Sequence, residues 1–416
     1  MATFTYQLPS AETFNGGAGN DLFVGSNNFF GAGDRAFGGD GIDEFLYFAD
    51  PSLTVDAAPK TVPAGFAVGP TKTFAAFQLN AVEVVTVTND SGAVLVFDMS
   101  SSAGITDLVS ANSSDGVIFD QVTELSNIRL VNQTFVATAD VGVGFQAAVL
   151  AGANTTANLV LQNTSSDVVR IGGTGGTLGN IGNTGVENVT LTVIGNTNSS
   201  IATLDTALTS LVILDDAAST GGVTIQNTLA GTVRTVDNQS DGSATISAAA
   251  ATGAVTFTGV GGNETFTGGA FNDTFTLGEG NNTAFTGAGN NTVTTGSGTD
   301  RVFAQGGVDT VGTGAGNDSI VDSTTGRLLL TAGEGSDSYI AVNPGEFNAR
   351  ANTPGNSFDN LNMGAGFDVL FIAAGAVDAQ FAQVTSAEGV ALVTAGTTTL
   401  GGGAGGLAQA AGINSI

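Results

Sequence analysis

Residues 259–321 read GVGGNETFT, GGAFNDTFT, LGEGNNTAF, TGAGNNTVT, TGSGTDRVF, AQGGVDTVG and TGAGNDSIV, seven nine-residue units laid end to end without a slip. The sixth position is Glu264, Asp273, Asn282, Asn291, Asp300, Asp309 and Asp318, and the eighth is Phe266, Phe275, Ala284, Val293, Val302, Val311 and Ile320. One column offers side-chain oxygens; the other is apolar throughout. Glycines at positions 2 and 4 permit left-handed or crowded backbone, so the first six residues can close a tight turn with its carbonyls pointing inward. The last three residues make a short strand whose middle side chain is buried and whose neighbours face out. Two units form one coil of 18 residues, which stacks turns on alternate edges. One edge then carries Glu264, Asn282, Asp300 and Asp318, the other Asp273, Asn291 and Asp309.

These columns resemble the RTX nonapeptide G-G-x-G-x-D-x-U-x, a calcium-binding parallel β-helix repeat. Hard cations such as Ca²⁺ take six to eight oxygens from carboxylates and carbonyls, which two stacked turns can supply together. The best site is expected between Asp300 and Asp318, where two full carboxylates face one ion. Pairs containing Asn282 or Asn291 keep an oxygen but lose charge, so weaker binding is expected there. Composition alone would also suit a Gly/Asn-rich linker, but seven units in register with both columns kept argue against one.

The 416 residues suffice for two to four domains or one long solenoid. Hydrophobic residues make up 42%, enough to bury a core. Asp and Glu outnumber Lys and Arg by 37 to 9, giving a net charge of −28, which disfavours nucleic acid and anionic membranes as partners. There is no Cys, His or Trp. That excludes disulfides and thiolate metal sites, and removes the usual general base and every Ser-His or Cys-His nucleophile. A zinc protease built on H-E-x-x-H is impossible, as is a lipase needing a His partner. A solenoid lyase or epimerase acting through Asp, Arg and Tyr stays conceivable, though few cations are present for an acidic sugar. The N-terminus shows no signal-peptide pattern and no apolar run is long enough to cross a membrane.

Two more matches lie near the start, GGAGNDLFV at 16–24 with Asp21 and GGDGIDEFL at 38–46 with Asp43. With so few turns, a short N-terminal RTX-like cap is expected to complete its stacking on a neighbouring domain or another molecule. Residues 51–75 hold four of seven prolines and read as irregular connection. Short apolar strands follow, with echoes: AVEVVTVT at 81–88 against GVENVTLT at 185–192, and ELSNIRL at 124–130 against ALTSLVI at 207–213. A solenoid is favoured, with a β-sandwich over 76–135 left open and a short helix possible over 138–152. Phe257 sits nine residues before Phe266, so the apolar column begins before the acidic one. Beyond 321 the register breaks, Leu329 still fitting the apolar column, and resumes one residue late with Asp337 and Tyr339; Asp368 follows in NMGAGFDVLFI.

The expected fold is therefore all-β: a right-handed parallel β-solenoid with an RTX β-roll. Its divisions are a cap (1–50), a β-rich domain (51–135), a solenoid (136–258), the β-roll (259–342) and a C-terminal cap with a type I secretion segment (343–416). Candidate calcium ligands are Asp21, Asp43, Glu264, Asp273, Asn282, Asn291, Asp300, Asp309, Asp318, Asp337 and Asp368. The V-E-x-V-T-x-T strands resemble the solenoid parts of bacterial S-layer proteins exported by type I systems. That resemblance implies a secreted, non-enzymatic protein that assembles with itself into an extracellular sheet or fibre, with several Ca²⁺ ions as structural cofactors. A cell-surface adhesin or carbohydrate-binding protein, with cell-surface polysaccharide as partner, is the alternative. An ice-binding face is disfavoured, because the row Thr265, Thr283, Arg301 is interrupted at once.

Overall fold

The computed structural model describes residues 1–7, 11–30, 32–55, 70–75, 77–133, 140–152, 154–175, 177–323, 326–342, 359–372 and 384–392. Among them there is no α-helix, one 3-10 turn at Asn27–Phe29, and many parallel strands that form a β-solenoid of about 15 turns. The chain divides into two compact units, Met1–Ala230 and Gly231–Ile416.

In the second unit the nonapeptide arithmetic is visible in the pairing. Thr265–Thr267, Thr283–Phe285, Arg301–Ala304 and Ser319–Asp322 pair in parallel on one side, and Thr256–Gly259, Thr274–Thr276, Thr292–Thr294 and Asp309–Gly312 on the other. A parallel pair needs a crossover of a dozen or more residues. Here the opposite strand and its two turns serve as that crossover, so every residue of the coil is used. The apolar column is the core: Phe266, Phe275, Ala284, Val293, Val302, Val311 and Ile320 are all buried. Phe257 stacks on Phe275 with ring centroids 4.8 Å apart. Earlier coils without acidic turns join in the same register, Ala244–Ser247 beside Thr265–Thr267 and Thr235–Asn238 beside Thr256–Gly259.

Glycine is compulsory where turns stack. Gly316 has φ +139°, and a Cβ there would lie 1.6 Å from the carbonyl oxygen of Gly298 one coil away. The register break behaves differently from the expectation at one position. Val311 pairs with Leu330, so Leu330 enters the core and Leu329 faces outward. The extra residue is absorbed ahead of the strand, because slipping the strand itself by one would turn its whole apolar set outward.

The first unit is also a parallel solenoid. Leu22–Ser26 pairs with Thr3–Thr5 on one side and with Glu44–Ala49 on the other, which pairs in turn with Val84–Asn89. The N-terminal repeats thus stack on the strands that follow them in the same chain, the neighbouring-domain course of the two expected. Residues 77–133 are parallel coils such as Asp107–Ala111 against Asn127–Val131 and Val94–Asp98 against Val117–Val122, not a sandwich. Val141–Phe145 is a fully buried strand, where a short helix was possible: its edges pair with Val117–Val122 and Ser165–Gly173, and Ile181 covers the outer face at Gly144. The proline-rich connection lies largely outside the described residues, as does most of the expected secretion segment. Aromatics fill this unit's first coils, with Phe74 stacked on Phe97 at 4.7 Å and Phe97 on Phe119 at 5.8 Å.

If the apolar column carries the second unit, Phe275→Ala should cost about 3–5 kcal/mol in denaturant unfolding with calcium present. Phe271→Ala, whose side chain is 43% exposed in a turn, should stay within about 0.5 kcal/mol.

Candidate metal-binding turns

Each column residue sits immediately ahead of a strand, or at Asp309 opens it, with its side chain turned inward and buried. The backbone N–H at that point precedes the strand ladder and needs an acceptor. The column supplies it. The Glu264 N–H donates to Asn282 Oδ1 at 3.0 Å, Asn282 to Asp300 at 2.7 Å, and Asp300 to Asp318 at 2.9 Å. The chain of bonds continues from Asp318 to Asp337 at 2.8 Å, Asp337 to Asp368 at 2.7 Å, and Asp368 to Glu388 at 2.8 Å. On the other edge Val255 donates to Asp273, Asp273 to Asn291 and Asn291 to Asp309, at 2.7, 2.8 and 2.8 Å. In the first unit Ala2 donates to Asp21, Asp21 to Asp43 and Asp43 to Glu83. The two stacked edges expected from 18-residue coils are both present, and insertions before Asp337 and Asp368 leave the ladder intact.

With one oxygen committed to the ladder, or at Glu264 to the Asn238 side-chain amide at 3.0 Å, the second oxygen separates the turns into classes. The remaining oxygens of Asp43, Glu264, Asp300, Asp318, Asp337 and Asp368 are buried with no hydrogen-bond partner. Those of Asp21 and Asp273 are satisfied by the N–H groups of Gly17 at 2.8 Å and Gly269 at 2.7 Å. Electrostatics follows. Burial pushes Asp318 and Asp309 up to about 6 and Glu264 up to about 7, and raises Asp43, Asp273, Asp300, Asp337 and Asp368. Asp21 is held below its ordinary value by the N–H groups of Ala2 and Gly17.

Asn282 shows what the orphan oxygens face. Its Nδ2 lies 2.9 Å from the carbonyl oxygen of Leu277 and 3.3 Å from those of Gly278 and Gly280. The turn's carbonyls therefore converge on one point, and in this turn an amide N–H₂ occupies it. In the turns ending at Asp300 and Asp318 the column side chain brings a carboxylate oxygen that no N–H reaches; the Thr295 and Thr313 hydroxyls beside these carboxylates offset part of the cost of burial without removing it. Carbonyls plus carboxylate oxygen are the donor set of a hard cation, so these turns fit calcium. Asn282 does more than weaken its site: its oxygen caps Glu264 and its nitrogen fills the carbonyl ring. Among the described residues no three or more acidic side chains gather around one point. Each ion would therefore take one or two carboxylates and draw its other oxygens from backbone.

The sequence reading placed the best site at Asp300 and Asp318. The structure extends the series of orphan oxygens through Asp337 to Asp368. It also reveals cap residues that the reading passed over. Glu83 caps Asp43, Glu187 accepts from the Thr155 N–H at 2.9 Å, and Glu124 accepts from Gly104 and Ile105. The signal was available, since both V-E-x-V-T echoes carry their Glu immediately before the strand.

Two outcomes follow for the calcium-free protein. Folded-state pKa values of Glu264, Asp309 and Asp318 lie above their ordinary values, so the folded chain holds protons more tightly than the unfolded one. Their stabilisation is full below the unfolded values and is lost as pH rises through about 6 to 7. With chelator, the melting temperature should therefore be higher at about pH 5 than at about pH 8, and saturating calcium should remove the difference. Asp318→Asn, which lets an amide fill the ring as Asn282 does, should lose a bound ion yet gain about 1–3 kcal/mol in chelator. Asn282→Asp should add an ion, and calorimetric titration reads both.

Three segments, 9–28, 258–293 and 285–320, match the family model of the RTX calcium-binding nonapeptide repeat (4 copies). They include Asp21 and all seven column residues from Glu264 to Asp318, but not Asp43, Asp337 or Asp368. No curated protein and no solved structure matched the chain. The matched repeats and the β-solenoid that contains them fit a calcium-binding extracellular protein.

Proposed function

We propose that this is a secreted structural protein whose folding is set by calcium and which assembles with itself into an S-layer or comparable extracellular sheet or fibre. The observation that carries the reading is the run of buried, unpartnered carboxylate oxygens from Asp300 to Asp368. In a chain of net charge −28, such oxygens oppose folding until a cation arrives, and binding to them is then folding free energy. Extracellular modules bind calcium with dissociation constants of about 10⁻⁴–10⁻³ M, a level met outside cells and not inside. The chain would leave the cell incompletely folded, by a type I route, and lock on arrival.

Assembly is supported by the solenoid's growth direction. Among the described residues the first strand, Thr3–Thr5, is paired on one side only, with Leu22–Ser26. Such a strand edge is a template for pairing with another chain. The role proposed is non-catalytic: without His or Cys, the chain's carboxylates are its main candidate acids and bases, and those of the column are buried inside the turns, away from the open surface. A calcium-stabilised adhesin is the second reading, favoured by the uncharged outer face of the sheet that carries Thr256, Thr274, Thr292 and Thr310.

Titrating calcium into the purified protein should raise the β-signal in circular dichroism and then the particle size, both reversed by chelator, and electron microscopy should show a lattice or fibre. A spectrum and size indifferent to chelator would refute the reading.

A further inference from the structure

The two sheets of the second unit present different outer faces. One carries Phe285 and Phe303, stacked at 4.5 Å, with the Arg301 guanidinium 4.7 Å from the Phe303 ring. The other is built from hydroxyls. Its strands Thr256–Gly259, Thr274–Thr276 and Thr292–Thr294 each turn two threonines outward on either side of a buried Phe or Val, in register from coil to coil. The row expected from sequence, Thr265 to Thr283 to Arg301, does break. Thr256, Thr274, Thr292 and Thr310 on the opposite sheet form a row unbroken over four coils, which Leu329 ends.

Further along, Gly312 places no side chain between Thr294 and Thr331, the half-buried Leu329 stands between Thr310 and Asn360, and Asn362 follows Thr331. The surface there opens into a trough of about 540 Å³, lined among the described residues by Thr294, Thr310, Thr331, Asn360, Asn362 and Thr385, with others. That volume falls within the range of small-molecule sites, about 300–1,000 Å³. No outward residue on these strands from Thr256 to Thr385 is charged, although the protein carries a net charge of −28.

Hydroxyls and amides without charge select a neutral polar ligand; acidic sugars and nucleic acid find no cation here. The face also repeats. Neighbouring strands lie about 4.8 Å apart, so at least one outward hydroxyl or amide recurs in every coil from Thr256 to Thr385, close to the advance per sugar of an extended glycan. An ice face would need a flat surface, and this one is concave at its Asn-bearing end. Threonine on a strand's solvent side is common for its β-propensity alone, but that preference accounts for neither the trough nor the missing charge.

We propose that this face binds a neutral polysaccharide laid along the solenoid axis, about one sugar per coil, with Thr294, Thr310, Asn360 and Asn362 hydrogen-bonding its hydroxyls. The inference does not depend on self-assembly. The test uses the full calcium-loaded chain, its fold confirmed by circular dichroism, in affinity electrophoresis through laminarin, mannan, dextran or hydroxyethyl cellulose, with alginate as the acidic control. At least one neutral polymer should retard the protein and alginate should not. The double variant Thr294→Ala, Asn362→Ala should weaken that retardation about tenfold, equivalent to losing two hydrogen bonds, while Thr267→Ala on the other sheet should leave it unchanged. Folded protein that no neutral polymer retards, or retardation indifferent to the double variant, would overturn the proposal. Inhibition of ice recrystallisation without glycan binding would overturn it too, and would assign the face to ordered water.

Discussion

The structure depends on a single repeated hydrogen bond, from the backbone N–H that opens one strand to the side-chain oxygen of the residue that opens the strand one coil on. It ties each turn to the next at the place where the parallel ladder has not yet begun. A short acidic or amide side chain is required because its oxygen must reach one strand spacing, about 4.8 Å, along the axis. Asp and Asn serve where the coils are regular; Glu serves at Glu83, Glu187 and Glu388, in less regular coils.

That bond also shapes the candidate calcium site. Once one carboxylate oxygen is fixed to the ladder, the other must lie inside the turn, where the glycine-shaped backbone has gathered its carbonyls. A buried anion beside carbonyl oxygens is unfavourable, and three occupants relieve it. A proton does so at low pH, an amide does so permanently at Asn282, and a divalent cation does so with the most oxygens satisfied. Asp273 and Asp21 take a fourth course, closing on a glycine N–H of their own turn. One repeat thus yields turns of graded cation demand, which allows some coils to form first and others to wait for the ion.

The outer faces are freed by the same arrangement. Since the core needs only the middle residue of each short strand, the flanking positions can be chosen for other purposes, and the two sheets of the second unit use them differently. The Phe285–Phe303 pair and the hydroxyl rows on opposite sheets give the second unit two distinct surfaces, on which the proposals of self-assembly and glycan binding make separate demands.

The sequence by itself determined the repeat, its 18-residue coil, the apolar core column and the stacking of acidic residues on two edges, because period and chemistry are local properties of a nine-residue unit. Leu330 in place of Leu329, the strand at Val141–Phe145 and the stacking of the N-terminal repeats onto Val84–Asn89 were decided by tertiary pairing, which rewards burial over local propensity. The division of one acidic column into cation-seeking and self-satisfied turns was likewise invisible, since Asp273 and Asp300 occupy the same place in the motif. Only the folded turn decides whether the second oxygen meets an N–H or nothing, and the calcium chemistry rests on that difference.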